Sequence, residues 1–180
     1  MSQTALVTAD DLLHLPDDGY KYELVRGHLV RMSLPRVWHG IVALRIGMLL
    51  GAHAQARNLG VVLSEGGFQL ESNPDTVRGP DVAFLRRDRI PPRDARGYYK
   101  GAPDLAVEVL SPDDRRSEID EKVDEYLTSG TPAVLVVDVD ECTVVVHRRL
   151  MPPLTLAGHD MLDLDDVVPE FRCRVAQIFE

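Results

Sequence analysis

The sequence predicts a mixed α/β fold, in which a sheet of several strands is crossed by helices. Three observations point there. Residues 79–85 and 103–110 are short, almost unbroken apolar runs bounded by turn residues, as expected of strands covered on both faces. Residues 37–57 carry the longest helical pattern, with Ile41, Leu44, Ile46, Met48, Leu49 and Leu50 making a broad apolar surface suited to lying on a sheet. A second helical pattern, residues 111–130, separates the 103–110 strand from another apolar run at 133–139.

Taken in order, Thr8 followed by Asp11 ahead of Leu12 and Leu13 has the form of a capping box, starting a short helix that Pro16 ends. Residues 20–32 read as a hairpin turning at Arg26 and Gly27, with Glu23 alternating against apolar neighbours and facing either water or a site. His39 falls in the first turn of the long helix. Residues 61–70 read as one strand, with Gly66 and Gly67 marking a bulge or a close backbone approach and Glu65 beside them as a minor site candidate. Residues 86–100 form a loop rich in cations: Arg86, Arg87, Arg89, Arg93, Arg96 and Lys100 against Asp88 and Asp94. It follows directly on the Asp81 strand, where a basic loop beside a metal site would hold a polyanion's phosphates. In the 111–130 helix, Ile119, Val123, Tyr126 and Leu127 form one stripe, with Asp120, Glu121, Asp124 and Glu125 on the wet side. Lys122 belongs to neither group and lies at the stripe's edge. Residues 133–139 and 143–147 are strands joined at Asp140 and Glu141, and the mixed tail ends in a short helix near residues 175–179.

The carboxylates carry the functional signal. A charged side chain inside an apolar strand loses hydration and needs a metal, a cation or several donors in compensation. The two-residue period places Asp81, Ala83 and Leu85 on one face of their strand, and Asp104, Ala106, Glu108 and Leu110 on one face of theirs. If the strands are neighbours, Asp81 and Glu108 converge. Paired carboxylates with room for water suit Mg²⁺ or Mn²⁺.

A chain of 180 residues that is 44% hydrophobic predicts one domain, 1–180, with a substantial core. The net charge of -9 weighs against nucleic-acid binding through overall charge, so the location of the cations matters more than their sum. Cys142 and Cys173 stand alone, which fits a reducing cytoplasm and no zinc site. The first eleven residues lack a signal-peptide pattern. The longest apolar helix, interrupted by Arg45, is expected to be too short to span a bilayer. There is no GxGxxG, P-loop, HExxH, GxSxG or CxxC motif.

The arrangement resembles the PD-(D/E)XK, or restriction-endonuclease-like, superfamily, and within it the Uma-two family of endonucleases. The resemblance runs over nearly the whole chain. It is carried by Tyr22-Glu23-Leu24-Val25 with Gly27, by His39-Gly40, by Arg78-Gly79-Pro80-Asp81-Val82, by residues 101–112, by Glu121-Lys122 with Tyr126-Leu127, and by Val168-Pro169-Glu170-Phe171. The fold it implies is a restriction-endonuclease-like mixed sheet with an α-β-β-β-α-β core, an N-terminal hairpin and a C-terminal strand and helix extension. The function it implies is divalent-metal-dependent hydrolysis of phosphodiester bonds in nucleic acid, DNA rather than RNA, by a homodimer. Pro80-Asp81 resembles the PD element and Glu108-Val109-Leu110 the (D/E)XK element, with Leu110 where the superfamily has lysine. Some members carry that lysine on the following helix, and Lys122-x-x-x-Tyr126 resembles their motif. The resemblance thus implies Asp81, Glu108, Lys122, Glu23, His39 and Tyr126 as catalytic residues. It implies Asp81, Glu108 and the Val109 carbonyl as ligands to Mg²⁺ or Mn²⁺. Arg86, Arg87 and Arg89 are the nucleic-acid contacts read from charge placement. Two alternatives stay open: a catalytically weak or inactive nuclease-fold binding or assembly module, and a hydrolase of some other phosphoester.

Overall fold

The computed structural model describes residues 6–111 and 114–180. Helix α1 (Ala9–Leu13) starts at the expected capping box: Thr8 Oγ1 accepts from the Asp11 N–H at 3.1 Å and Asp11 Oδ2 accepts from the Thr8 N–H at 2.9 Å. Strands β1 (Tyr22–Val25) and β2 (His28–Arg31) form the hairpin, with Arg26 and Gly27 both at positive φ in its turn. A side chain on Gly27 would also meet Leu6, so the turn is confined to glycine twice over.

Helix α2 (Val37–Arg57) turns Val42, Ile46, Leu50 and Ala54 onto the sheet at four-residue spacing. Gly47 and Gly51 face the same way, toward Val82 and Val62, and allow a close approach of helix to sheet. Contrary to the sequence expectation, α2 is long and apolar enough by length and composition to cross a membrane. Here it covers a sheet, with Leu44 and Met48 on its outer side.

The expected strand at 61–70 is two strands in two sheets. Strand β3 (Gly60–Leu63) ends where Glu65 takes positive φ, and β4 (Phe68–Glu71) restarts beyond the glycine pair. A side chain on Gly67 would collide with Tyr98, so the glycines provide the expected close approach rather than a bulge, at a corner where the chain passes from one sheet to the other. Strand β5 (Thr76–Arg78), too short to show a pattern in the sequence, is wholly buried. Strand β6 (Val82–Arg86) leads to a single 3-10 turn at Arg87–Arg89, then β7 (Tyr99–Lys100) and β8 (Leu105–Val109). The helix expected over 111–130 is α3 (Arg116–Thr128), with Gly130 beyond it at positive φ; Pro112 and Asp113, at its expected start, lie outside the described residues. Strands β9 (Ala133–Asp138) and β10 (Thr143–Arg148) form the second expected hairpin. The tail adds β11 (Leu154–Ala157), β12 (Met161–Asp163), β13 (Arg172–Arg174) and α4 (Ala176–Phe179).

The main sheet has six strands in the order β11-β10-β9-β8-β6-β3. Within this sheet β8 and β9 are the parallel pair, and α3 is the crossover that such a pair requires. One face packs Val82, Phe84, Leu105, Val107 and Val109 beneath α2 and the tail; the other sets Ala106, Val134 and Val136 against Val123 and Tyr126 of α3. A second sheet, ordered β2-β1-β5-β4-β7, stands beside it, with Leu24 and Val77 packed under α1. Helix α3 therefore meets the main sheet below and side chains of the second sheet beside it.

Candidate functional site

Strands β6 and β8 pair antiparallel, with Val82 opposite Val107 and Ala83 opposite Ala106. One step further along this register sets Asp81 opposite Glu108. Partners so placed point their side chains to the same face of the sheet. The two acidic positions thus meet at one end of two central strands, as the strand period predicts.

Each carboxylate is held. Asp81 Oδ2 accepts the Val109 N–H at 2.7 Å and lies 3.3 Å from His39 Nε2, which the first turn of α2 brings over the strand ends. Glu108, only 5% exposed, accepts from the Tyr126 hydroxyl through Oε1 at 2.9 Å and from Lys122 Nζ through Oε2 at 3.3 Å. Lys122 and Tyr126 are four residues apart, so both descend from one side of α3. Lys122 Nζ also stands 3.5 Å from Glu23 Oε2, linking the N-terminal hairpin to the site. Glu23 is buried, which decides between the water-facing and site-facing readings of its strand.

Two participants were not legible as such. Arg78 donates through one terminal nitrogen to Glu23 Oε2 at 2.8 Å and through Nε to Glu125 Oε2 at 2.6 Å, while the Gly79 N–H donates to Glu23 Oε1 at 2.9 Å. Glu125 is therefore buried, not on the wet side of α3 as its helical phase implied. Helical phase marks burial against one surface, whereas α3 also meets Arg78 of the second sheet. Arg78 gave no such signal, because β5 is three residues long and its neighbours Asp75, Thr76, Gly79 and Asp81 are polar or small.

The electrostatics follow from burial and from an excess of carboxylates. Burial pushes the Glu108 carboxyl up to about 7; the nearby Asp81 and Glu23 add to the rise, and Lys122 and the Tyr126 hydrogen bond oppose it. Burial works against the charge of Lys122, but Glu108 and Glu23 outweigh it and hold the ammonium above the ordinary amine range. Arg78 likewise stays charged against its burial because of Glu23 and Glu125. His39 is raised by its hydrogen bond to Asp81, against burial, with Val109's backbone contributing further.

Among the described residues no three His, Cys, Asp or Glu side chains gather into a ready metal site. The donor set at Asp81 and Glu108 nevertheless fits a hard divalent cation. It offers carboxylate oxygens, with the Val109 carbonyl following Glu108, and leaves positions for the waters that Mg²⁺ retains. Glu23 differs in its counter-charges: its Oε2 lies 2.8 Å from the Arg78 guanidinium as well as 3.5 Å from Lys122, and its Oε1 accepts the Gly79 N–H, whereas Glu108 meets Lys122 alone at 3.3 Å.

The start of the cationic loop, Arg86 to Arg89, does not lie beside this cluster. Arg86 is at the opposite end of β6 from Asp81, five residues or about 16 Å along a strand. Asp104, at the other end of β8 from Glu108, accepts from the Arg86 N–H at 2.9 Å and from Arg89 at 2.8 Å. Arg89 also donates to the Ala102 carbonyl at 2.7 Å, so it fastens this turn, while Arg87 is exposed. Antiparallel pairing of β6 and β8 separates what sequence adjacency suggested was together. Glu65, the minor candidate, pairs with Lys21 on the surface.

Residues 9–176 match the family described as "Uma2: Putative restriction endonuclease". The chain belongs to this family. The matched region includes every member of the cluster, from Glu23 to Tyr126. The Uma2 chain is also similar to a crystal structure described as "a putative nuclease belonging to DUF820" from Anabaena variabilis. The two are 20% identical, and the likeness covers 96% of this chain and 97% of that one with a TM-score of 0.84. At that identity the likeness speaks for the fold, which is restriction-endonuclease-like. No curated protein matches the chain. Family and fold together indicate a nuclease of the restriction-endonuclease-like class.

Proposed function

We propose that this protein is a divalent-metal-dependent endonuclease that hydrolyses phosphodiester bonds in nucleic acid, DNA rather than RNA, acting in the cytoplasm as a homodimer. The observation that carries the reading is the register of β6 with β8, which brings Asp81 level with Glu108 beneath Lys122. The preference for DNA rests on the family's description as restriction endonucleases.

Asp81, Glu108 and the Val109 carbonyl would hold Mg²⁺ or Mn²⁺. Once bound, such an ion acidifies a coordinated water and neutralises charge on the scissile phosphate. Lys122 takes the place that Leu110 cannot fill, because its stem crosses from α3 and puts the ammonium at Glu108. There it orients the attacking water and offsets charge that builds on the phosphate oxygens. Tyr126 fixes the Glu108 carboxylate through Oε1, and His39 fixes Asp81 and meets the phosphate from the α2 side. Glu23 acts as a tether for Lys122, not as an ion ligand.

Purified protein incubated with supercoiled plasmid, linear duplex, single-stranded DNA and RNA tests this, in Mg²⁺, Mn²⁺ or EDTA. Cleavage of DNA that needs the ion and disappears in Asp81→Asn supports it. The second reading, a nuclease-fold binding module without turnover, draws on the net charge of -9 and on the pairing of Lys122 with two carboxylates. Binding without cleavage of any of the four substrates would select that reading.

A further inference from the structure

Arg78 is 4% exposed and lies between two carboxylates from different elements, Glu23 of β1 and Glu125 of α3. Its planar fork bonds both in fixed directions, which a lysine's single point charge does not reproduce. The next residue, Gly79, uses its N–H on the other oxygen of Glu23. Arg78 and Gly79 thus cap Glu23 completely, two residues ahead of Asp81.

This capping bears on the lysine. Lys122 Nζ is nearly equidistant from Glu108 Oε2, at 3.3 Å, and Glu23 Oε2, at 3.5 Å. Stripped of Arg78, buried Glu23 would keep as counter-charge only Lys122, which it shares with Glu108. It would then draw the ammonium away from Glu108 and compete for any divalent ion within reach. We propose that Arg78 is a positioning residue that withholds Glu23 from metal coordination, limits the site to one ion and keeps Lys122 over Glu108. The inference rests on the nuclease reading for the identity of the ion site. Its own content is the competition between Arg78 and a cation for Glu23.

Mn²⁺ titration followed by electron paramagnetic resonance and calorimetry reads that competition without requiring turnover. The informative protein is the double variant Arg78→Met with Glu125→Gln, which removes the guanidinium and neutralises its other partner. Wild type is expected to bind one Mn²⁺ per chain and the double variant two. Adding Glu23→Gln should return the count to one. In cleavage assays the double variant should lose at least tenfold in kcat with KM for nucleic acid changed less than threefold, a split that general loss of structure does not produce. If circular dichroism shows the double variant unfolded, Arg78→Lys replaces it, and a smaller Glu23-dependent second binding step is expected. One Mn²⁺ at wild-type affinity in the folded variant, with kcat retained, overturns the proposal. No Mn²⁺ on wild type but Glu23-dependent binding on the variant sinks the metal-nuclease reading while leaving the role of Arg78 standing. No binding to either sinks both.

Discussion

Tyr126 donates a 2.9 Å hydrogen bond to Glu108 Oε1, one helical turn along α3 from the lysine that reaches Oε2 of the same carboxylate. Both groups are buried, so the bond fixes the rotation of the carboxylate and the face it presents to Asp81. Tyr126→Phe should keep the fold and lower activity about tenfold, since it frees one buried oxygen without removing a ligand. Wild-type activity in that variant would show the hydroxyl to be a packing detail.

Asp81→Asn or Glu108→Gln should abolish metal-dependent cleavage while leaving the circular dichroism spectrum unchanged. Each substitution removes mutual carboxylate repulsion, so neither should destabilise the metal-free chain. Cleavage persisting in either variant would place the ion elsewhere.

Lys122→Met should reduce kcat by 100-fold or more while changing Mn²⁺ affinity only modestly. It removes charge compensation from the transition state and spares the ligands. A variant that loses ion binding in proportion to turnover would make Lys122 a structural counter-charge.

The metal-free protein should lose stability as pH rises from about 4.5 to about 7. Burial raises the Glu108 carboxyl to about 7 in the folded chain, so over this interval the folded state holds a proton that the unfolded state has released. The full effect is about 3 kcal/mol at most and is exhausted above the folded value. Thermal melts in EDTA at several pH values should show this decline in wild type and its loss in Glu108→Gln. Parallel curves would contradict it.

The arginines should separate by role. Arg78→Ala should cost about 3–5 kcal/mol, because it strands two buried carboxylates. Arg89→Ala should destabilise more modestly through the loss of its bonds to Asp104 and Ala102. Arg87→Ala should leave stability unchanged. If the turn contacts DNA, Arg87→Ala should reduce the salt slope of binding by about one on duplexes long enough to reach it from the cluster. An unchanged slope on long duplex would make the turn plain solvated surface.

Homodimerisation is checked by light scattering at micromolar concentration, where a mass of about twice 20.0 kDa is expected and a monomer would refute it.

Sequence alone determined those features that depend on local chemistry or on one periodicity. The Thr8 capping box, the Arg26-Gly27 hairpin turn and the span of α2 follow from side-chain type and spacing. So does the meeting of Asp81 and Glu108, because a two-residue period fixes which strand residues share a face, and neighbouring strands need only align. Lys122 stood out because it lay off the wet side of an acidic helix. Tertiary structure decided whatever depended on a second partner. The corner at Gly66 and Gly67 divides one apolar run between two sheets, a choice set by which strand edges lie on either side. Glu125 is buried because α3 meets two sheets, and helical phase reports burial against only one. Arg86 and Arg89 end far from Asp81 because antiparallel register sends the end of β6 toward Asp104, away from Glu108. Distance along a strand outweighs adjacency in sequence.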